Sequence, residues 1–198
     1  MLIAFNFKEF IVGKQYTQIS GVHQTFIRAQ KLFFVGTAGC EGRVNISPKG
    51  MDSLRVLGPN RVAWLNVTGS GNESAAHVAE NARMTLMFCA FEGRPMILRL
   101  YGQAEVVHPR DNLWSDLVDL FPDLPGARQV FDLTVDLVQT SCGMSVPFFD
   151  YVEQRDDLVE WAERKGEDKL VAYWHEKNEV SLDGKPTYLF DTSSKERT

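Results

Sequence analysis

Residues 62–74 constrain the fold of this chain most, because a strand pattern leads there into a glycine-rich loop and then into a helix. The apolar run 62–67 precedes Thr-Gly-Ser-Gly-Asn-Glu-Ser, and residues 74–81 have a helical pattern. Gly69 and Gly71 allow a tight turn and a close approach of the backbone to a ligand. Polar loop side chains and free N–H groups at the helix start predict a phosphate site. The alternative is a plain connection in which Ser or Asn caps the helix.

Short strand patterns on both sides of this loop predict a mainly β domain. Residues 96–108 read as a long strand, and residues 131–137 alternate between apolar and polar side chains. About six short antiparallel strands at this spacing favour a small β-barrel over a sandwich. Pro48 is expected to end its strand because it lacks an N–H for the ladder. Gly102 is expected to mark a bulge or bend.

Helical patterns precede, interrupt and follow the strands. They cover residues 20–31 with Ser20 as the N-cap, residues 111–121, and two tail segments, 156–165 and 167–178, on either side of Gly166. We therefore predict a barrel domain with an N-terminal helix at residues 1–150 and a helical C-terminal extension at residues 151–198.

Residues 1–12 are apolar but contain Lys8 and Glu9. They lack the basic leader and small-residue cleavage site of a signal peptide, and they are too short to span a bilayer. We expect them to form a short strand or an accessory segment. The polar residues at the other end of the chain are expected to fray.

Charge and cysteine usage narrow the functional classes. A formal net charge of −5 argues against a nucleic-acid-binding surface, and no membrane association is expected. Cys40, Cys89 and Cys142 form no CxxC pair, which is typical of a cytoplasmic protein with reduced thiols. The four histidines are scattered, so no metal site is predicted.

Four segments in this order resemble the pyridoxamine 5′-phosphate oxidase-related family. They are residues 33–38, 44–50, 64–74 and 81–88, and the resemblance extends over residues 30–107 and, in one branch of the family, to residues 139–143 and the helical tail. The resemblance implies an FMN-binding split β-barrel. It also implies a homodimer with FMN at the subunit interface and a small-molecule substrate.

The family resemblance also implies the cofactor-binding residues. One strand would lie along the flavin ring and ribityl chain, a second would follow the cofactor, and the loop at residues 68–74 would hold the phosphate. Arg99 occupies a position at which family members place a polar residue toward the flavin. The implied residues are Asn45, Ser47, Lys49, Trp64, Leu65, Asn66, Thr68, Ser70, Asn72, Ser74 and Arg99.

Two features depart from the oxidase itself. The oxidase has an Arg-Lys pair at the head of the helix after the phosphate loop, whereas this chain has Glu73, Ser74 and Ala75. The cation for the phosphate must then come from elsewhere, and Lys49, Arg99 and Arg43 are the candidates. The Trp-Arg substrate signature of the oxidase is also missing, which argues against pyridoxine or pyridoxamine phosphate as the substrate.

Several residues have a structural alternative. Trp64 is equally typical of a barrel core, Lys49 of a plain surface lysine, and Arg99 of a solvent-facing arginine or a partner of Glu105 or Glu92. Cys142 is more typical of a small apolar filler than of a catalytic thiol.

The function predicted from the sequence is an FMN-dependent oxidoreductase without an assigned catalytic residue, because the isoalloxazine ring itself carries out the redox chemistry. The alternatives are a non-catalytic flavin-binding or sensor protein, a barrel that binds haem or deazaflavin, and a barrel that serves only as a dimer module.

Overall fold

The computed structural model describes residues 13–190, so the predictions for residues 1–12 and for the C-terminal residues 191–198 fall outside the described part. The strands in this part are β1 (Lys14–Tyr16), β2 (Phe33–Thr37), β3 (Asn45–Lys49), β4 (Leu54–Gly58), β5 (Arg61–Val67), β6 (Arg83–Cys89), β7 (Ile97–Val107) and β8 (Ala127–Ser141). The helices are α1 (Gly21–Ala29), α2 (Glu73–Glu80), α3 (Trp114–Val118), α4 (Asp157–Lys165) and α5 (Glu167–Lys177). None of the helices in residues 13–190 is long and apolar enough to cross a membrane.

All strand pairs are antiparallel, in the order β3-β2-β6-β7-β8-β5-β4, and β1 pairs with the second half of β8. The end strands β3 and β4 follow each other in the chain, but no ladder joins them within the described residues. The curved sheet therefore stays open between β3 and β4. This architecture confirms the predicted fold class, a mainly β split barrel with peripheral helices and a helical C-terminal tail.

Alternating side chains of the sheet fill the barrel with a single large apolar cluster. Trp64 on β5 stacks on Phe131 of β8, with ring centroids 4.3 Å apart, and Phe33 packs against Phe88. Fully burying one such side chain contributes about 1.5–3 kcal/mol. A smaller cluster holds α3 against β5 and β8 through Leu117. Together these clusters fix the strands that surround the site described below.

Several elements differ from the predictions made from the sequence, and each difference has a physical reason. Residues 13–190 contain eight strands rather than about six, and the sequence did not reveal β1 because its three exposed residues show no apolar alternation. Pro48 does not end its strand, since β3 continues to Lys49 and an edge strand tolerates a missing N–H. Helix α3 is shorter than predicted because residues 108–114 form consecutive tight turns before it.

The other helical predictions are confirmed. Ser20 caps α1, with its Oγ accepting from the N–H of His23 at 3.3 Å and its own N–H donating to His23 Nδ1 at 3.2 Å. Gly166 separates α4 from α5 with a φ of +72°, a left-handed conformation that favours glycine.

Gly102 marks the predicted bulge, and its missing side chain is required there. The β7–β8 register shifts between Tyr101 and Gly102, and a Cβ at Gly102 would lie 1.9 Å from the carbonyl oxygen of Thr134. We expect Gly102→Ala to lower the free energy of unfolding by at least about 2 kcal/mol, measured by denaturant titration. Gly36→Ala is the control, because the nearest atom to its Cβ lies at 3.8 Å, and it should stay within about 1 kcal/mol of wild type. Equal destabilisation by both variants would contradict the role of the bulge.

Candidate functional site

A cavity of about 560 Å³ lies between edge strand β3, the end of β5, the glycine-rich loop at residues 68–74 and the start of β8. This volume is within the range of small-molecule sites, about 300–1,000 Å³. Leu158 of α4 and Leu182 of the tail also line it. The C-terminal extension therefore forms part of the wall of a cavity in the barrel.

The structure brings nine of the eleven residues predicted from the sequence to this cavity. Strand alternation places the half-buried side chains of β3 on the cavity side, while Ile46 between them is exposed. The nine lining residues are Asn45, Ser47, Lys49, Leu65, Asn66, Thr68, Ser70, Asn72 and Ser74.

Trp64 and Arg99 are not among the lining residues. The Trp64 side chain is fully buried in the core, where its Nε1–H points to Met84 Sδ at 3.4 Å. Arg99 on β7 donates to Ser141 Oγ at 3.0 Å. Arg43, the third cation suggested for the phosphate, forms an ion pair with Asp183 of the tail.

The glycine-rich loop is held mainly by contacts to its backbone. Thr68 Oγ1 donates to the carbonyl oxygen of Gly126 at 2.8 Å, and the carbonyl oxygen of Gly71 accepts from Arg128 at 2.9 Å. Asn72 occupies the N-cap position of α2, but its side chain makes no capping hydrogen bond. Its Oδ1 instead accepts from Asn66 Nδ2 at 3.3 Å. The asparagine therefore does not serve as the plain helix cap of the alternative interpretation.

Arg128, at the start of β8, is a cation of this cavity that the sequence analysis missed. Its side chain is buried, with 3% exposure, and lies against the loop. The guanidinium donates to two neutral acceptors, Asn178 Oδ1 and the carbonyl oxygen of Gly71. It forms no ion pair within residues 13–190, and burial lowers its pKa to about 10. The only signal in the sequence was an arginine shortly before the alternation of residues 131–137.

Lys49 is the second cation at the same cavity. Burial, and secondarily the positive charge of Arg128, lower the pKa of its ammonium group to about 8. Glu73 is the acid at the cavity rim, and both of its carboxylate oxygens lie 3.1 Å from the backbone N–H of Leu182. Desolvated charges are costly unless they are paired. Two cations without a carboxylate partner in the described part of the chain therefore favour an anionic ligand.

Unpartnered polar atoms mark the same place. Ser47 Oγ, Asn72 Nδ2 and Arg128 Nε are buried and have no hydrogen-bond partner within residues 13–190. Most buried polar atoms in proteins have a partner, so three such atoms around a single cavity indicate a polar ligand. Ser74 also lines the cavity, and its Oγ accepts from Asn45 Nδ2 at 3.3 Å and from Thr37 Oγ1 at 3.4 Å.

Similarity to known proteins in sequence covers most of the chain. The model of the pyridoxamine 5′-phosphate oxidase family matches residues 19–142. The pyridoxamine 5′-phosphate oxidase family protein ustO of Aspergillus flavus is 37% identical over an alignment of 191 residues. The alignment covers 86% of this chain and 76% of that protein.

The chain is also similar to two solved structures. HupZ from Group A Streptococcus has a TM-score of 0.50 at 18% identity, covering 60% of this chain and 91% of that one. The FAD binding protein of Mycobacterium smegmatis has a TM-score of 0.46 at 15% identity, covering 63% of this chain and 96% of that one. At such low identity, the HupZ likeness supports the fold alone.

Proposed function

This chain belongs to the pyridoxamine 5′-phosphate oxidase family, and we propose that it binds FMN and acts as an FMN-dependent oxidoreductase on a small substrate. The observation that carries the proposal is the pair of desolvated cations, Lys49 and Arg128, beside the glycine-rich loop. A phosphate monoester has a charge of about −1.5 to −2 at neutral pH and three strong acceptor oxygens. It therefore complements both the charge of this end of the cavity and its unpartnered donors.

The rest of the cavity suits the other parts of FMN. Asn45 and Ser47 on β3, together with Asn66 at the end of β5, offer hydrogen bonds to the ribityl hydroxyls and the ring edge. Bound FMN supplies hydride or electron transfer, while the protein orients the cofactor and excludes water. The proposed cofactor residues are the nine lining residues named above and Arg128.

We propose that the protein is a homodimer with FMN at the subunit interface. Exposed apolar side chains at β3 support this proposal. Val44 and Ile46 are 70% and 69% exposed, and both line a groove of about 500 Å³. Large apolar patches on a protein surface commonly mark interfaces. Light scattering of the purified protein should give twice the mass of one chain.

We propose a cytoplasmic location for the protein, because its three cysteines are unpaired.

The missing Trp-Arg substrate signature of the oxidase favours a second candidate, a flavin-binding protein without turnover. The described lining of the cavity contains no His, Cys or Tyr, so Lys49 and Glu73 are its main acid–base groups. The same composition gives little support to haem, whose iron is commonly held by His, Cys or Tyr.

The absorption spectrum and mass of the copurified ligand test the proposal. We expect a yellow protein that releases FMN on denaturation, and an apoprotein that binds FMN at least about 100-fold more tightly than riboflavin. A colourless protein that does not bind added FMN would overturn the proposal, and copurified haem or deazaflavin would replace it. Steady turnover with NAD(P)H and an electron acceptor supports the oxidoreductase. FMN bound without turnover on any donor supports the second candidate.

A further inference from the structure

The C-terminal extension contacts the phosphate end of the cavity through helix α5 and the residue after it. Trp174 Nε1 donates to Thr68 Oγ1 at 2.8 Å. Asn178 Nδ2 donates to the carbonyl oxygen of Gly69 at 3.2 Å, and Asn178 Oδ1 accepts from Arg128 Nη1. Trp174 and Asn178 lie beyond residue 142, where the match to the family model ends. These contacts are therefore supplied by a part of the chain outside the common barrel.

Asn178 is the central residue of this contact. Its side chain is 0% exposed, and its backbone carbonyl oxygen accepts from Thr187 Oγ1 at 2.6 Å. Thr187 N–H also donates to the carbonyl oxygen of Glu179 at 2.9 Å. The turn after α5 thus fixes the position of the Asn178 amide. Both ends of that amide are used, one to orient the guanidinium of Arg128 and the other to hold the loop.

The neutrality of Asn178 matters for charge. An amide accepts a hydrogen bond from arginine and donates to a carbonyl without adding a charge. A carboxylate at this position would form a buried ion pair with Arg128 and cancel the charge that faces the cavity. Arg128 has only neutral acceptors among the described residues, so its positive charge stays available to a ligand.

We propose that Asn178 is a positioning residue that orients Arg128 toward the cavity without neutralising it. Through Asn178, the C-terminal extension sets the affinity of the site for the phosphate group of its ligand. The inference rests on the proposed binding of FMN, since FMN and riboflavin differ only in that phosphate.

Asn178→Asp tests the inference, because it preserves size and the acceptor for Arg128, adds one negative charge and removes the donor to the Gly69 carbonyl oxygen. We expect it to weaken FMN binding by at least about 30-fold and to change riboflavin binding by less than about threefold. Lys177→Gln is the matched control, since it makes the same charge change on the neighbouring exposed side chain. It should leave the affinities for both ligands within about twofold. Fluorescence titration gives the affinities, and circular dichroism verifies the fold of each variant.

Equal weakening of FMN and riboflavin binding in Asn178→Asp would overturn the inference, because it would indicate only a structural role. Unchanged FMN binding would overturn it as well. Inorganic phosphate separates this test from that of the proposed function. If phosphate raises the melting temperature of wild type but not of Asn178→Asp, the inference stands even where wild type fails to bind FMN. If phosphate raises neither melting temperature and FMN binds normally to both proteins, only the inference fails.

Discussion

Replacing Arg128 with methionine should weaken FMN binding by about 100-fold and leave riboflavin binding within about threefold. The guanidinium is buried beside the glycine-rich loop with an unpartnered Nε, so a phosphate would gain charge-assisted hydrogen bonds in a desolvated place. Removing one partner of a buried, hydrogen-bonded charge pair weakens the free energy of binding by about 2–5 kcal/mol. Fluorescence titration of the apoprotein with each ligand measures the effect, and methionine preserves most of the buried volume.

Arg99→Met is the control for this experiment. Arg99 is a half-buried arginine on a strand of the same sheet, but it binds Ser141 and does not line the cavity. We expect FMN affinity in this variant to stay within about threefold of wild type. If Arg99→Met were to weaken FMN binding more than Arg128→Met, the cation would be Arg99, one of the three candidates from the sequence. The assignment of the phosphate to Arg128 would then be wrong.

FMN affinity should fall as the pH rises through the pKa of Lys49. That pKa is lowered to about 8, mainly by burial and further by the charge of Arg128. A phosphate dianion binds the charged ammonium form best, and the second pKa of a phosphate monoester is about 6, so the ligand stays dianionic above neutral pH. Between about pH 7 and pH 9.5 the dissociation constant for FMN should rise by about 30-fold. Within this range Arg128, with a pKa of about 10, remains mostly charged.

The stability of the apoprotein should show the opposite trend. The Lys49 pKa is lower in the folded protein than its ordinary value, so the unfolded chain binds more protons between about pH 8 and pH 10.5. The Lys49 contribution to the free energy of unfolding therefore rises with pH across this window. Denaturant titrations of wild type and Lys49→Met at several pH values isolate this Lys49 contribution.

The same variant checks the predicted pH dependence of FMN binding. If Lys49→Met shows the same pH dependence of FMN binding as wild type, a group other than Lys49 causes it.

The barrel and one wall of the cavity were predictable from local patterns. The alternation in β3 placed Asn45, Ser47 and Lys49 on one face, and the glycine-rich loop marked the end of β5. Trp64 shares a face with Asn66 but lies two residues deeper in β5, inside the barrel. Such depth depends on how the strands curve, which local alternation does not show.

The rest of the site depends on packing between distant segments. Arg128 meets Gly71 across 57 positions of the chain and Asn178 across 50. No local pattern links these residues, because the first contact arises when β8 pairs with β5 and the second when the tail folds back on the loop. Arg99 does not line the cavity, and the sequence could not show this for a related reason. A charged residue within an apolar strand signals that a partner exists, but not which partner it is.

The proline within β3 has a consequence for how the open barrel meets other chains. An edge strand with free backbone groups is a template onto which a strand of another molecule can add. Pro48 pairs with Phe34 but has no N–H, and prolines in edge strands turn their missing donor away from the ladder, so a strand added to β3 would lack a hydrogen bond there. Ile46 of β3 and Val44 directly before it are exposed, and beside an unbroken edge strand they would favour aggregation. Pro48 thus lets the barrel remain split without presenting a continuous edge for aggregation.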